Sequence, residues 1–352
     1  MKKKSLFISI VRYILGLFLI FAIVLGFVLW WAVGETLPWR SDLHIESDHD
    51  AIDAQAKPAI TVATYNIGHG QGIKKNAWDF RDKEVTIAQL EKIAQAMKKI
   101  DADIFLLQEV DLDSDRTQRI DEIQFLKKYL SIPYTACALV WKKNYVPFPY
   151  WPPKHHIGYV RSANCILSKY KLKNHQSEIF SKPKNNPFWY NWGYIDRGVH
   201  KVDAVIGDQE IAIFNVHLEA WDPETREQQI RSLKAFIDET KLPIILGGDF
   251  NTLMPTEEKK SGFIDEPEVD FSKEKTLTWF FEEEPALKFP AKRADHLHAL
   301  SRLTFPSDHP TRQIDHIFIR GKELEFIDVY AAGDAFIASD HLPLVAKIAI
   351  HP

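Results

Sequence analysis

The stretch "LPIILGGDFNT" at residues 242–252 starts as an apolar run of strand type and stops on two glycines, an acid, an aromatic and an amide. Taken alone it is a buried strand closing on a turn, since glycine lets the backbone turn tightly and Asp and Asn are ordinary turn residues. The recurrence of that pattern gives it weight. Six apolar runs end in, or carry, a hydrophilic cluster: "ATYN" at Asn66, "LLQEV" at Glu109, "FNVHL" at His217, "LGGDFN" at Asp249 and Asn251, "QIDHIF" at Asp315 and His316, and "SDHLPL" at Asp340 and His341. Burying carboxylates and imidazoles at strand ends costs several kcal/mol apiece unless charge partners or a metal compensate.

Each cluster has a plain structural reading as well. Asn66 could cap a turn, Glu109 could pair with Arg116, and a lone His217 on a strand is most often a satisfied core histidine. "DHP" at residues 308–310 lies in a loop bounded by Ser and Pro and reads as turn chemistry. Together the six argue for one shared site. Its oxygen-rich members, Asn66, Glu109, Asp249, Asn251 and Asp340, suit a hard cation such as Mg²⁺ or Mn²⁺, because the thiolates that soft metals prefer are missing. Histidines beside carboxylates suit proton transfer and stabilisation of phosphoryl oxygens, so the combination points to phosphate ester hydrolysis.

Working outward, strand and helix signals alternate from residue 59 to the end. "AITVATYN" and "DIFLLQEV" read as strands, as do 134–140, 160–167, 199–206, "EIAIFNVHL", "LPIILGG", "QIDHIFI", 324–330 and 342–350. Apolar residues at helical spacing predict helices over 81–99, 117–130 and 223–239, the last with a proline near its first turn. Many strands with few long helices predict two mixed β-sheets packed face to face with helices outside, an α/β fold of four layers. No repeat of fixed period and no low-complexity tract is present.

Two regions break the alternation. "WKKNYVPFPYWPPKHH" (141–156) and "KPKNNPFWYNWGY" (182–194) mix Pro, Trp and Tyr with lysines. They read equally as long loops stiffened by proline and as a substrate rim or membrane-contacting lip, since exposed Trp and Tyr suit a water–lipid interface.

The N-terminus is of another kind. Lys2, Lys3 and Lys4 lead into a run from residue 13 to 33 with no charged side chain, about the length that crosses a bilayer. The lysines favour a cytoplasmic N-terminus, and Trp30 and Trp31 fall where an aromatic belt meets the far interface. The expectation is an uncleaved anchor over residues 1–33, a polar tether over 34–58 and a catalytic domain over 59–352 outside the cytoplasm. A signal peptide cut near "AVG" (32–34) is the rival reading, although the apolar segment is long for one. The whole chain, at 352 residues and 45% hydrophobic, can bury a large core. Its formal charge is −4; residues 1–40 carry five basic side chains and one acid, which leaves 39 basic against 47 acidic, a net of −8, for the remainder. That acidity argues against a protein that grips long stretches of DNA. Cys137 and Cys165, both in apolar runs, are read either as a pair in an exported protein or as two buried thiols on strands.

"TYNI", "LLQEVD", "NVHL", "GGDFN", "IDHIF" and "SDHLPL" occur in an order that resembles the endonuclease/exonuclease/phosphatase superfamily, which includes deoxyribonucleases, abasic-site endonucleases, neutral sphingomyelinases and inositol polyphosphate 5-phosphatases. The likeness spans residues 61–350, and "GGDFN" with a C-terminal "SDH" is a specific pair. It implies a four-layered α/β sandwich and one or two Mg²⁺ or Mn²⁺ ions. It also implies that Glu109 is the main metal ligand with Asn66 close by, that Asp249 orients or deprotonates the attacking water, and that Asn251 holds a phosphate oxygen. His341 would contact the scissile phosphate, and Asp340 would bind metal or fix that imidazole. Asp315 would support a histidine or assist the leaving group. His217 resembles the histidine of the deoxyribonuclease and sphingomyelinase branches, and Arg197 in "DRGVHKV" stands where several members place a phosphate-contacting arginine.

The expected activity is hydrolysis of a phosphodiester. The tether, the aromatic loops and the acidic balance favour a lipid headgroup or other small phosphoester, while the family's many nucleases favour extracellular nucleic acid. A catalytically inactive binding module would require the loss of a principal residue, and every principal position is filled.

Overall fold

The computed structural model describes residues 2–48, 54–73, 82–290, 302–333 and 337–352. A first helix, α1 (Lys2–Val33), meets the rest at β5, and its apolar part, Phe7–Val33, has a mean hydropathy of 2.7 and no residue buried in the protein. At 1.5 Å per residue it is long and apolar enough to cross a membrane. Gly34 ends it with φ +68°, a left-handed conformation suited to glycine.

The described residues then supply thirteen strands and five more helices: β1 (Arg40–Asp42), β2 (Glu46–Ser47), β3 (Ala59–Asn66), α2 (Lys83–Ile100), β4 (Ile104–Asp111), α3 (Glu122–Leu130), β5 (Tyr134–Val146), β6 (Gly158–Ser168), β7 (Lys171–Ile179), α4 (Phe188–Gly193), β8 (Gly198–Ile206), β9 (Gln209–His217), α5 (Pro223–Asp238), β10 (Ile244–Asp249), α6 (Thr276–Glu283), β11 (Asp315–Arg320), β12 (Leu324–Ala331) and β13 (Leu344–Ile350). They form a six-stranded sheet, β1-β7-β8-β9-β10-β11, and a seven-stranded sheet, β12-β13-β3-β4-β6-β5-β2.

Strand periodicity dictates the layering. One face of each sheet, carrying Ile60, Val62, Ile104, Leu106, Ile211, Ile213, Ile245, Ile317 and Ile319, closes the core between the sheets. The opposite face of the seven-stranded sheet buries Tyr65, Phe105 and Leu107 against Leu90, Ile93 and Met97 of α2 and Leu126 of α3. The opposite face of the six-stranded sheet buries Phe214, Leu246 and Phe318 against Leu233, Phe236 and Ile237 of α5 and Phe280 of α6. At about 1.5–3 kcal/mol per large side chain removed from water, these three interiors dominate stability. The result is the expected α/β/β/α sandwich preceded by an apolar helix.

Several local readings change. The stretch 34–58 is not featureless: β1 pairs with β7 and β2 with β5, one on each sheet. Strand β5 runs to Val146, so "WKKNYV" is strand and not loop. Helix α3 starts at Glu122, because Asp121 caps it and residues 115–117 form only a single 3-10 turn. The expected start of α2 at Arg81 lies outside the described residues; Asp82 caps the helix, accepting from the Val85 amide at 2.9 Å. Strand β7 escaped the sequence because "KLKNHQSEI" is mostly polar. Cys137 and Cys165 face each other across β5 and β6, with Cα atoms 4.1 Å apart, and form a disulfide.

Candidate active site

The inter-sheet core turns polar at one end. On β3 the inward series continues from Ile60 and Val62 to Thr64 and Asn66, and on β9 from Ile211 and Ile213 to Asn215 and His217. On β10 it runs from Ile245 through Gly247 to Asp249, and on the antiparallel β11 from Ile319 through Ile317 to Asp315. Register places Asp249 between His217 and Asp315. A belt of amides separates this polar end from the apolar core: Gln108 Nε2 donates to Asn215 Oδ1 at 2.7 Å and Thr64 Oγ1 at 3.1 Å. Asn215 Nδ2 in turn reaches the carbonyls of Leu107 and Cys165, both at 3.0 Å, so the belt ties the two sheets together beneath the site.

The glycines of "GGDFN" have a packing reason. A Cβ on Gly248 would stand 1.9 Å from the Val216 carbonyl oxygen, and its φ of +153° is unfavourable for other residues. Close approach of β10 to β9 is what sets Asp249 beside His217. After the strand, Asn251 takes φ +50° and its amide N–H donates to Asp249 Oδ1 at 2.9 Å, a tight Asx turn.

Glu109 arrives by a different route. Simple alternation after Phe105 and Leu107 would send it toward the helices. A β-bulge between Leu107 and Val110, with Glu109 at φ +56°, turns its carboxylate into the cleft instead. There Glu109 Oε2 lies 3.1 Å from His69 Nε2, and Oε1 lies 3.9 Å from both Arg197 Nη1 and His217 Nε2. Burial opposes ionisation of Glu109, but His69, His217 and Arg197 hold its pKa well below the usual carboxylate range. Arg116 does not pair with Glu109 as its neighbour in sequence would allow; it forks onto Asp111 at 2.8 and 2.9 Å and reaches His69 Nδ1 at 2.8 Å.

Three side chains gather on Asp249 Oδ2. Asn66 Nδ2 donates to Asp249 Oδ2 at 3.0 Å, and that oxygen lies 3.3 Å from His217 Nε2 and 3.8 Å from His341 Nε2. His341 Nδ1 is 2.8 Å from Asp315 Oδ2, which orients the imidazole. Burial raises the pKa of Asp249 to about 7. Burial works against charging His341, yet Asp315 and Asp249 bring it up to about 10. His217 is the converse case: burial, then the adjacent Arg197, whose Nη1 stands 2.6 Å from Nε2, push it well below the usual value and keep it neutral. Asp249, Asp315 and His341 offer ligand atoms all within 4.8 Å of one another, a buried group that could bind a metal.

Asp340 is half-buried beside Gly68 and Ser339, and burial followed by the charge of Glu109 raises its pKa. Asp340 thus lies within reach of the Glu109 charge and, through the Ser339 hydroxyl, beside Asn66, whose Oδ1 accepts from the Gly68 amide at 3.0 Å and keeps a second lone pair. That donor set fits a hard divalent cation. Asn251 Nδ2 donates to the Leu218 carbonyl at 3.1 Å, which leaves its side-chain oxygen and second N–H for a ligand. His316 faces the other side of β11: its Nε2 bonds the Thr252 carbonyl at 2.9 Å and its ring stacks on Phe318, a structural role. The sequence carried His69 inside "TYNIGHG" without marking it. Its left-handed φ of +51° aims it at Glu109, and no periodic signal encodes that.

The endonuclease/exonuclease/phosphatase family matches residues 63–341. The chain belongs to that family. Its members hydrolyse phosphoesters, generally with a divalent metal. Among curated protein sequences nothing matches. Solved structures that are similar include an endonuclease/exonuclease/phosphatase from Beutenbergia cavernae, with TM-score 0.56 and 18% identity over 83% of this chain and 72% of that one. Another, from Bacteroides vulgatus, has TM-score 0.54 and 15% identity over 84% of this chain and 100% of that one. The human Nocturnin catalytic domain with bound sulfate anion gives TM-score 0.53 and 18% identity over 85% and 96% of the two chains. At these identities the likeness concerns the fold.

Proposed function

We propose that the protein is a membrane-anchored, Mg²⁺- or Mn²⁺-dependent phosphodiesterase acting on a lipid headgroup or another small phosphoester outside the cytoplasm. The observation that carries the reading is the convergence of Asn66, Glu109, His217, Asp249, Asp315 and His341 at one end of the inter-sheet core. Glu109, Asn66 and Asp340 would hold the cation, which supplies Lewis-acid polarisation of the phosphoryl group when bound.

The protein's own groups do the rest. Asp249, raised to about 7 and steadied by Asn66, is matched to take a proton from an attacking water. His341, protonated and held by Asp315, donates a hydrogen bond from Nε2 to a phosphate oxygen as charge builds there, and the proton that Asp249 takes from water balances the one the departing alkoxide acquires as its P–O bond breaks. Arg197 and neutral His217 stand beside Asp249 and Glu109, and Asn251 can donate to a second phosphate oxygen. The nuclease alternative has less support, because the domain outside the anchor is acidic. Location outside the cytoplasm is supported by the lysines before α1 and by the disulfide, which persists in oxidising compartments.

The test is turnover of sphingomyelin or phosphatidylinositol vesicles against nicking of plasmid DNA, each with Mg²⁺ and with chelator. Metal-dependent release of a phosphorylated headgroup is expected; plasmid nicking without lipid turnover would replace the substrate assignment, and inertness toward every phosphoester would remove the enzymatic one.

A further inference from the structure

The aromatic loops, the end of α1 and the wall of the active site form one continuous face. Strand β5 links the first two. Its Asn144 Nδ2 donates to the Trp31 carbonyl at 2.8 Å and Lys142 pairs with Glu35, so the exit of α1 is held on the segment that runs directly into Tyr150 and Trp151. The second loop is seated on the first. Trp141 Nε1 donates to the Gly193 carbonyl at 3.2 Å, and Phe148 and Ile195 pack on the cluster of Trp141, Val146, Ile157 and Val160. Lys182 fastens its base, donating to the Asn191 and Tyr194 carbonyls at 2.9 Å each.

From α4 the contacts lead into the site. Tyr190 packs on Tyr194 at 5.6 Å and Tyr194 on Trp221 at 6.1 Å, with ring centroids as reference; the Arg197 guanidinium lies 5.8 Å from the Trp221 ring. The Tyr194 hydroxyl donates to Glu219 at 2.6 Å, and the Trp221 amide to the same carboxylate at 3.1 Å. These fixed loops and the segment after β9 nonetheless leave their largest side chains in water: Trp151 is 80%, Trp221 70%, Phe188 69% and Trp189 57% exposed. Single exposed apolar residues are ordinary, whereas a run of neighbouring rings from α4 to Trp221, with Tyr150 and Trp151 on the loop it is seated on and Lys154 and Lys184 exposed in the same loops, is not.

We propose that Tyr150, Trp151, Phe188, Trp189, Trp192 and Trp221 form a lip that seats in the headgroup region of the bilayer spanned by α1, so that the catalytic cleft opens onto the lipid surface. The occupant follows from position: α1 ends beside the lip, and Trp and Tyr favour the interface of the same bilayer. This inference rests on the membrane-anchored reading above, and it deepens it by placing the substrate within the membrane surface.

The experiment uses the full chain reconstituted in phosphatidylcholine vesicles containing phosphatidylglycerol. Its only cysteines are joined in the disulfide, so a single new thiol accepts an environment-sensitive dye. Trp151→Cys and Trp189→Cys carry the dye at the lip, Tyr150→Cys serves as a second position in the first loop, and Asp208→Cys, in the β8–β9 turn at the other end of the sheet, is the control. Lipids spin-labelled near the headgroup should quench the lip positions at least about two-fold more than the control. Equal quenching at all positions, or none at 150, 151 and 189, would overturn the lip. Because the readout needs no turnover, quenched labels with no lipid hydrolysis keep the lip and remove the lipid substrate. Hydrolysis without quenching does the reverse.

Discussion

At Glu109 a single left-handed residue redirects a carboxylate from the helix layer into the cleft, and His69, 3.1 Å away, holds it there. His69→Ala should therefore weaken metal binding about 10–100-fold while leaving the thermal midpoint nearly unchanged, as removal of a group supporting a ligand does elsewhere; titration calorimetry with Mn²⁺ checks it. Glu109→Ala and His341→Ala, by contrast, should each lower kcat by at least about 100-fold with the circular dichroism spectrum intact. A near-normal rate in either variant would remove that residue from the machinery. The chemistry of these side chains was readable, since acids, amides and imidazoles stood at the ends of apolar runs. The bulge was not, because it belongs to β-strand backbone geometry that the residue letters around Glu109 do not announce. For the same reason the true partner of Arg116 emerged only in three dimensions, where Asp111 lies within its fork.

At the scale of elements, strands with a clean period of two were legible: "AITVATYN", "EIAIFNVH" and "IDHIFI" each alternate between the inter-sheet core and a helix-facing side. Strand β7 was hidden by its lysines and by a register shift between Lys173 and Gln176, which interrupts any alternation. Helix α4 was hidden because a helix of six residues rich in Trp, Tyr and Asn has no apolar stripe. Two substitutions probe element packing. Gly248→Ala would drive a methyl group into the Val216 carbonyl, so it should separate β10 from β9 and destroy both stability and activity, seen as loss of the cooperative thermal transition. Replacing both Cys137 and Cys165 by Ser opens a bridge spanning 28 residues and should cost about 3–4 kcal/mol in urea denaturation without altering the site.

Over the whole molecule, buried histidines set the response to acid. His175 and His200 bond to each other at 3.0 Å, and His316 is buried on the helix-facing side of β11; burial lowers the pKa of all three, that of His316 to about 4. A histidine kept neutral in the folded state still takes up a proton near pH 6.5 when the chain unfolds. Stability from these groups is therefore present above about pH 6.5 and lost as pH falls below it, with a slope of up to ~1.4 kcal/mol per pH unit for each. The urea midpoint should lose less between pH 7 and 5 in a His200→Gln variant than in the parent, and an equal loss in both would contradict the neutral assignment.

Strands β1 and β2 carry a consequence for how the protein is handled. Each pairs with the outer strand of a different sheet, β1 with β7 and β2 with β5, and so occupies backbone donors and acceptors that would otherwise template pairing between molecules. The segment joining α1 to the sandwich thus works as a guard on one edge of each sheet. A secreted-style fragment that starts at residue 59 would lose that guard and should self-associate in light scattering, whereas one that starts at residue 34 should stay monomeric.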